Sequence, residues 1–213
     1  ITDKEAVLID GYTQPGAVKN TNLTGGLSGT PVIEIRNASG AIETGLILTS
    51  NNNIVKGLVF PDMGNGDYNG SDHGIRIIGT GNTILGCYIG TDYTGTIAKG
   101  LGTQTAIYIG NDSAVIGDGT AAGRNLIAAV DTFGLGIGSG IMLSGKNHRI
   151  QGNIIGGLNK NGTTAMKPND GWNESIGLWL NASTGGNKIG GTVTGQGNVL
   201  SATGSQGFGM WVN

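Results

Sequence analysis

Asp72, His73 and Arg76 are the residues of this 213-residue chain whose types and spacing best suit acid–base chemistry. A histidine beside a carboxylate could abstract the proton α to a uronate carboxyl group, and a nearby arginine could neutralise that group. The stretch 69–72 also fits an ordinary polar loop, and the second histidine, His148, lies in a different turn. These three residues are therefore only candidate catalytic residues, and a non-catalytic protein is the preferred interpretation.

A second set of residues could bind sugars, because it occupies the middle of recurring apolar triplets. The triplets begin at Leu46, Ile75, Ile107, Ile141, Leu178 and Met210. Their middle residues, here called the outward column, are Ile47, Arg76, Tyr108, Met142, Trp179 and Trp211. If the strands stack in register, Arg76, Tyr108, Trp179 and Trp211 are predicted to bind carbohydrate through stacking and hydrogen bonds. The same side chains could instead stack on one another or pack beneath a loop or another subunit.

The sequence predicts no metal site and no cofactor. Asp92 and Asp118 lie in Gly/Thr-rich loops and could offer oxygen ligands to Ca²⁺, but capping of turns explains them better. The acidic residues also lack the regular spacing of calcium-binding repeats. Cys87 is the only cysteine, which excludes an intrachain disulfide and a cysteine-rich metal site, and we expect it to be a small buried apolar residue.

The elements that must position these residues are short strands in a repeat. The triplets at 46, 75, 107, 141, 178 and 210 are separated by 29, 32, 34, 37 and 32 residues. A constant strand with variable spacing indicates one repeated coil into which loops of different length are inserted, and the period-2 alternation excludes helical repeats. Asn53, Asn82, Asn147 and Asn187 are predicted to hold nearly equivalent turn positions, where asparagine tolerates the left-handed conformation and can hydrogen-bond along a stack.

These features predict an all-β, right-handed parallel β-helix (a solenoid) of about six coils with long inserted loops. Inward aliphatic side chains would form a core that no single coil could close alone. We expect residues 1–213 to form a single β-helix domain. Residues 210–212 begin a further triplet, so we expect the chain to be a fragment of a longer one, or to associate end to end through an uncapped coil.

Several stretches resemble bacterial secreted and cell-surface proteins with right-handed parallel β-helix repeats, of pectin-lyase-like fold. The resemblance rests on residues 9–16, 31–35, 53–59, 88–96 and 116–127, and it extends over nearly the whole chain. It implies an exported module, located outside the cell or at the bacterial cell surface, of a kind that mostly has no defined activity. The wider fold includes polysaccharide lyases, glycoside hydrolases, uronan epimerases and phage tailspikes, and fold alone does not choose among them.

Charge and hydropathy limit the partners. The net charge of −2, without any cluster of more than two Lys or Arg residues, gives no electrostatic basis for a nucleic-acid partner. No apolar run approaches the length of a membrane span. The leading prediction is a non-catalytic extracellular scaffold or adhesin module that could bind a polysaccharide or glycan. The alternatives are a polysaccharide lyase or glycoside hydrolase acting on an acidic polysaccharide, and a self-assembling filament or tailspike-like protein.

Overall fold

The chain winds through three parallel β-sheets around a common core, as shown by a computed structural model. The structure describes residues 1–2, 4–38, 43–64, 72–99, 105–128, 138–166, 175–202 and 207–213. In these ranges it contains 18 strands and one 3-10 turn, Gly11–Thr13. The predicted parallel β-helix is therefore confirmed.

Each coil passes through the three sheets in the same order. Sheet 1 contains β3 (Thr44–Leu48), β6 (His73–Ile77), β9 (Thr105–Ile109), β12 (Gly138–Lys146), β15 (Ser175–Gly185) and β18 (Phe208–Val212). Sheet 2 contains β1 (Leu8–Asp10), β4 (Ile54–Lys56), β7 (Thr83–Leu85), β10 (Val115–Ile116), β13 (Arg149–Ile150) and β16 (Lys188–Ile189). Sheet 3 contains β2 (Ile33–Glu34), β5 (Leu58–Phe60), β8 (Tyr88–Ile89), β11 (Leu126–Ala128), β14 (Ile154–Gly156) and β17 (Val199–Leu200).

The apolar triplets stack in the register that the sequence predicts. Leu46 pairs with Ile75, Ile75 with Ile107, and the same column continues through the later triplets to Met210. Strands β3 to β17 make five complete coils, with β1 and β2 before them and β18 after them. The variable spacing of the triplets thus comes from loops inserted between strands that remain in register.

The core lies between the three sheets and is built from one inward residue after another. In sheet 2 this column includes Val55, Ile84, Ile116 and Ile150, none of which is exposed to solvent. Burial of each such side chain contributes about 1.5–3 kcal/mol, and the gain requires a neighbouring coil on either side. Cys87 is fully buried as predicted, and burial raises the pKa of its thiol to about 12. The thiol is therefore unreactive at neutral pH.

The turn between sheets 1 and 2 carries a polar column, here called the first polar column. Its members precede the strands of sheet 2, and they are Asn53, Asn82, Ala114, His148 and Asn187. The Asn82 Oδ1 accepts a hydrogen bond from the Asn53 N–H at 2.9 Å, and the Asn187 Oδ1 accepts one from the His148 N–H at 2.9 Å. Each Asn or His side chain of the column thereby satisfies a backbone donor of the preceding coil, whereas Ala114 has no acceptor and interrupts the series.

The prediction for Asn147 is wrong by one residue, because His148 holds the position equivalent to Asn187. Its Nδ1 accepts a hydrogen bond from the Ala114 N–H at 3.1 Å, as an asparagine oxygen does elsewhere in the column. Asn147 lies one residue earlier, in the left-handed conformation with φ 59°, like Asn52 with φ 58° and Ser113 with φ 62°. Two adjacent columns therefore share this turn, one for the left-handed bend and one for the hydrogen bonds.

A second polar column, at the turn between sheets 2 and 3, consists of Asn125, Asn153 and Asn198. The Asn153 Oδ1 accepts hydrogen bonds from the Asn125 side chain at 2.8 Å and from the Asn125 N–H at 3.2 Å. The Asn198 Oδ1 accepts the corresponding bonds from Asn153 at 3.0 Å each. The Cys87 N–H extends the column by donating to the Asn125 Oδ1 at 2.8 Å. The predictions from the sequence do not include this column.

The outer face of sheet 3 is covered by loops from distant coils. Leu27 packs with a second apolar cluster that includes Tyr88, Leu126 and Ile154, and the Tyr88 hydroxyl donates a hydrogen bond to the Gly29 carbonyl at 2.7 Å. The guanidinium of Arg124 also holds this N-terminal loop by donating to carbonyls of residues 22 and 25. Because loops cover sheet 3, the outward side chains that stay exposed to solvent lie mainly on sheets 1 and 2. Examples are Ile47, which is 39% exposed, and Leu8, which is 59% exposed.

Candidate functional site

The outward column lies in register along sheet 1. Its pairs are Ile47 with Arg76, Arg76 with Tyr108, Tyr108 with Met142, Met142 with Trp179, and Trp179 with Trp211. The residues on either side of Arg76, Ile75 and Ile77, are fully buried, so strand alternation turns the arginine away from the core. From Arg76 to Trp211 the column spans four strand spacings, or about 19 Å. The predicted register is confirmed, and the sugar-binding role stays a prediction.

His73, Arg76 and Tyr108 come together at one end of this column. The rings of His73 and Tyr108 are stacked, with centroids 5.0 Å apart and planes at 12°. The Arg76 Cζ lies 5.9 Å from the centroid of the Tyr108 ring, within the range of a cation–π contact. Gly110 leaves room for this ring, since a Cβ there would lie 3.0 Å from the Tyr108 Cε1. Arg76 belongs to both predicted sets, and Tyr108 contacts both His73 and Arg76.

Trp179 and Trp211 stack on one another at the other end of the column. Their centroids are 5.5 Å apart with planes at 17°, and Phe208 adds a tilted ring 5.4 Å from Trp211. Since the two rings stack from strand to strand, each gives one face to the other and turns an edge outward. The mutual stacking considered from the sequence is therefore observed, and a ligand on this surface would meet ring edges rather than two open faces.

Three buried nitrogen atoms on this side of sheet 1 have no hydrogen-bond partner. They are the Nδ1 of His73, the Nε of Arg76 and the Nε1 of Trp179. A buried polar group without a partner costs about 1–3 kcal/mol. The salt bridges in the described part of the chain also leave Arg76 without an acidic partner. Such groups call for an explanation, and a role in binding or catalysis is one.

His73 is neutral in the folded protein at neutral pH. Burial, and secondarily the charge of Arg76, lower the pKa of His73 to about 4. A neutral imidazole is the form that can accept a proton, although so low a pKa makes it a weak base. Asp72, which directly precedes β6, is 1% exposed. The part of the predicted polar loop at 69–71 lies outside the described residues.

The aspartates considered as calcium ligands cap turns. The carboxylate of Asp92 accepts hydrogen bonds from the Thr94 hydroxyl at 2.7 Å and the Ile97 N–H at 3.2 Å. That of Asp118 accepts bonds from the Thr120 N–H at 2.9 Å and its hydroxyl at 2.6 Å. Among the residues that the structure describes, no three His, Cys, Asp or Glu side chains are grouped so that they could hold a metal ion.

The described ranges contain no helix with the length and apolar composition needed to cross a bilayer. Comparisons of the chain with protein-family models, with curated proteins and with solved structures found no match. The strand pairing shows a parallel β-helix solenoid, and the resemblance to pectin-lyase-like proteins stays a prediction.

The sequence contains a pattern that identifies the second polar column, but none that indicates the stacking of His73 on Tyr108. Each member of the second polar column is followed by two aliphatic residues, as in Asn125-Leu126-Ile127, and this recurrence could have identified it. The stacking of His73 on Tyr108 had no comparable signal, because the two residues occupy different positions along neighbouring strands of sheet 1.

Proposed function

We propose that this chain is a non-catalytic, extracellular β-helix module that binds a polysaccharide along the outward column of sheet 1. The observation that carries the proposal is the pair of unpartnered N–H groups, on Arg76 and Trp179, in a column that runs in register across the coils. Sugar hydroxyl and ring oxygens are suitable acceptors for both groups. The extracellular bacterial location, the scaffold role and the relation to pectin-lyase-like proteins rest on the sequence resemblance.

The geometry suits a chain of several sugars better than a single sugar. The span of about 19 Å between Arg76 and Trp211 exceeds the size of one ring, and strands of a parallel sheet repeat at about 4.8 Å. Met142 lies between the two halves of the column and is partly exposed, so its flexible thioether can adapt to an apolar sugar face. The Tyr108 hydroxyl adds a polar group beside Arg76.

Trp179→Phe tests the donor without removing the stacked ring. We expect this variant and Arg76→Gln each to weaken glycan binding at least tenfold, about 1.4 kcal/mol, because each removes a hydrogen bond to the ligand. A glycan array would identify the ligand and isothermal titration calorimetry would measure its affinity. Tyr93→Ala is the matched control, since Tyr93 is 49% exposed in a loop after β8 of sheet 3. Absence of binding to any glycan, or wild-type affinity in both sheet 1 variants, would contradict the proposal.

A second candidate function, cleavage of an acidic polysaccharide by β-elimination, is favoured by the convergence of His73, Arg76 and Tyr108. Neutral His73 would accept the proton α to the uronate carboxyl group, while Arg76 neutralised that group. Tyr108 would donate a proton to the leaving glycosidic oxygen as the C–O bond breaks and a C=C bond forms.

The elimination product contains a conjugated double bond, so ultraviolet absorbance reports its formation directly. If the chain is a lyase, absorbance rises with polyuronates, and His73→Gln and Tyr108→Phe each lower the rate at least a hundredfold. If the chain is non-catalytic, as we propose first, no increase occurs with any polyuronate. The self-assembling alternative and end-to-end association also stay predictions, and the molar mass from light scattering would test both.

A further inference from the structure

Two cationic side chains lie next to each other on the outer face of sheet 2. Arg149 of β13 pairs in register with Lys188 of β16, and both side chains are exposed. Like charges on neighbouring strands destabilise a sheet, so this arrangement is unfavourable without a counter-charge. The salt bridges among the described residues involve other cations, including Lys56 of the same sheet, which pairs with Asp10 at 3.0 Å. Arg149 and Lys188 are therefore an uncompensated pair.

A pocket of about 480 Å³ opens beside this pair. Besides the two cations, the residues that line it are Gln151, Ile189, Gly190, Gly191, Thr192 and Gln196. Its volume falls in the range of small-molecule sites. The lining contains two amides and a hydroxyl but no acidic side chain, which makes the pocket positive and rich in hydrogen-bond donors.

The pocket walls are held in place before any ligand arrives. Gln151 is 5% exposed, and its Nε2 donates a hydrogen bond to the Gly190 carbonyl at 2.8 Å. The Oε1 of Gln196 accepts a hydrogen bond from the Val193 N–H at 3.2 Å, and a Cβ on Gly191 would lie 2.0 Å from that oxygen. The loop after β16 is thus packed onto the wall of the pocket. A preformed site loses less entropy on binding.

We propose that this pocket binds the anionic group of an acidic saccharide, a carboxylate or a sulfate. Arg149 can hold either group through two parallel hydrogen bonds, and Lys188 supplies the second charge. Thr192 and the Gln196 amide line the same pocket and can bond sugar hydroxyl groups. The site lies on a different sheet from the outward column and does not depend on the function proposed there.

The Lys188→Glu variant distinguishes a loss of ligand binding from a loss of folding. The glutamate would face Arg149 across one strand spacing, so we expect the free variant to unfold at an equal or higher temperature than the wild type. The same variant should lose at least a hundredfold in affinity for oligogalacturonate or for sulfated dextran oligosaccharide, because one attractive charge becomes repulsive. Arg149→Gln should lose at least tenfold. Calorimetric titrations at low and high salt would measure both, and binding should weaken as salt rises.

Three controls make the result specific. Lys4→Gln removes an exposed cation elsewhere and should leave the affinity unchanged. Arg76→Gln and Trp179→Phe alter sheet 1: a loss of affinity in Lys188→Glu but not in these two variants assigns the probe to the sheet 2 pocket, whereas the reverse assigns it to sheet 1 and would overturn this proposal. Comparing the uronate with the sulfated probe identifies the preferred group. Equal affinity for inorganic phosphate, binding of neutral dextran, or no effect of Lys188→Glu and Arg149→Gln would overturn the proposal.

Discussion

Replacing Asn153 by leucine should lower the free energy of unfolding by about 4 kcal/mol, the largest effect that we expect from a single polar substitution. Asn153 is fully buried, and its Oδ1 accepts two hydrogen bonds from Asn125. Its Nδ2 donates to the Ile116 carbonyl at 2.7 Å and to the Asn198 Oδ1 at 3.0 Å. Leucine has a similar size but leaves these buried partners unsatisfied, each at a cost of about 1–3 kcal/mol. Such a loss is a large part of a typical domain's stability.

Urea and thermal unfolding, followed by circular dichroism, would measure the effect. Asn161→Ala is the matched control, because Asn161 is exposed and should tolerate the change within about 0.5 kcal/mol. Asn198→Leu should cost less than Asn153→Leu, since Asn198 is half-buried and Asn153 is fully buried. Equal stability of the Asn153 and Asn161 variants would mean that the second polar column does not hold the coils together.

The second large effect is a loss of stability in mild acid, caused by the two histidines. Burial and the charge of Arg76 lower the pKa of His73 to about 4, and burial also lowers the pKa of His148. Unfolded histidine binds a proton near pH 6.5, so between pH 6.5 and pH 4 the unfolded chain binds more protons than the folded one. Stability is therefore greatest above pH 6.5 and falls as the pH decreases. For His73 the loss approaches about 3 kcal/mol near pH 4.

His148→Asn should make this pH dependence shallower without harming the fold at pH 7.5. His148 uses its Nδ1 as an acceptor for the Ala114 N–H, while its Nε2 lies 2.8 Å from the Ser144 carbonyl. A protonated ring loses the acceptor, whereas asparagine, the residue found at Asn53 and Asn82, keeps one at every pH.

The urea unfolding midpoints of this variant, of His73→Gln and of the wild type would be measured between pH 7.5 and 5. In this range the ionisation of ordinary carboxylates changes little. Identical slopes in all three proteins would show that the histidines are not the cause of the acid lability.

The coil register could be predicted from the sequence because each triplet repeats the same alternation. Ile75, Arg76 and Ile77 place one polar residue between two core residues, and a slip by one residue would bury the arginine. The first polar column was harder to align, because Ala114 and His148 replace asparagine in consecutive coils. Because of this interruption, the spacing of the asparagines alone points to Asn147 rather than to His148.

The chemistry of the outer faces of sheets 1 and 2 could not be predicted from the sequence as fully as the coil register. Trp179 and Trp211 are compatible with an open sugar platform and with a self-stacked pair, and only their 5.5 Å separation decides how the rings face. The sheet 2 pocket brings Gln151 against the loop after β16, a contact across coils that no local pattern encodes. Inserted loops position such side chains, and the length of a loop says little about where it packs.

Tryptophan fluorescence tests the central claim, that the outward column of sheet 1 is the ligand-binding surface, most directly. In a Trp172→Phe variant the remaining indoles, Trp179 and Trp211, both belong to that column. Titration with the glycan identified by array should change their emission saturably, with the dissociation constant found by calorimetry, and Arg76→Gln should shift that titration at least tenfold. Calorimetric binding that leaves the emission of both tryptophans unchanged would contradict the claim.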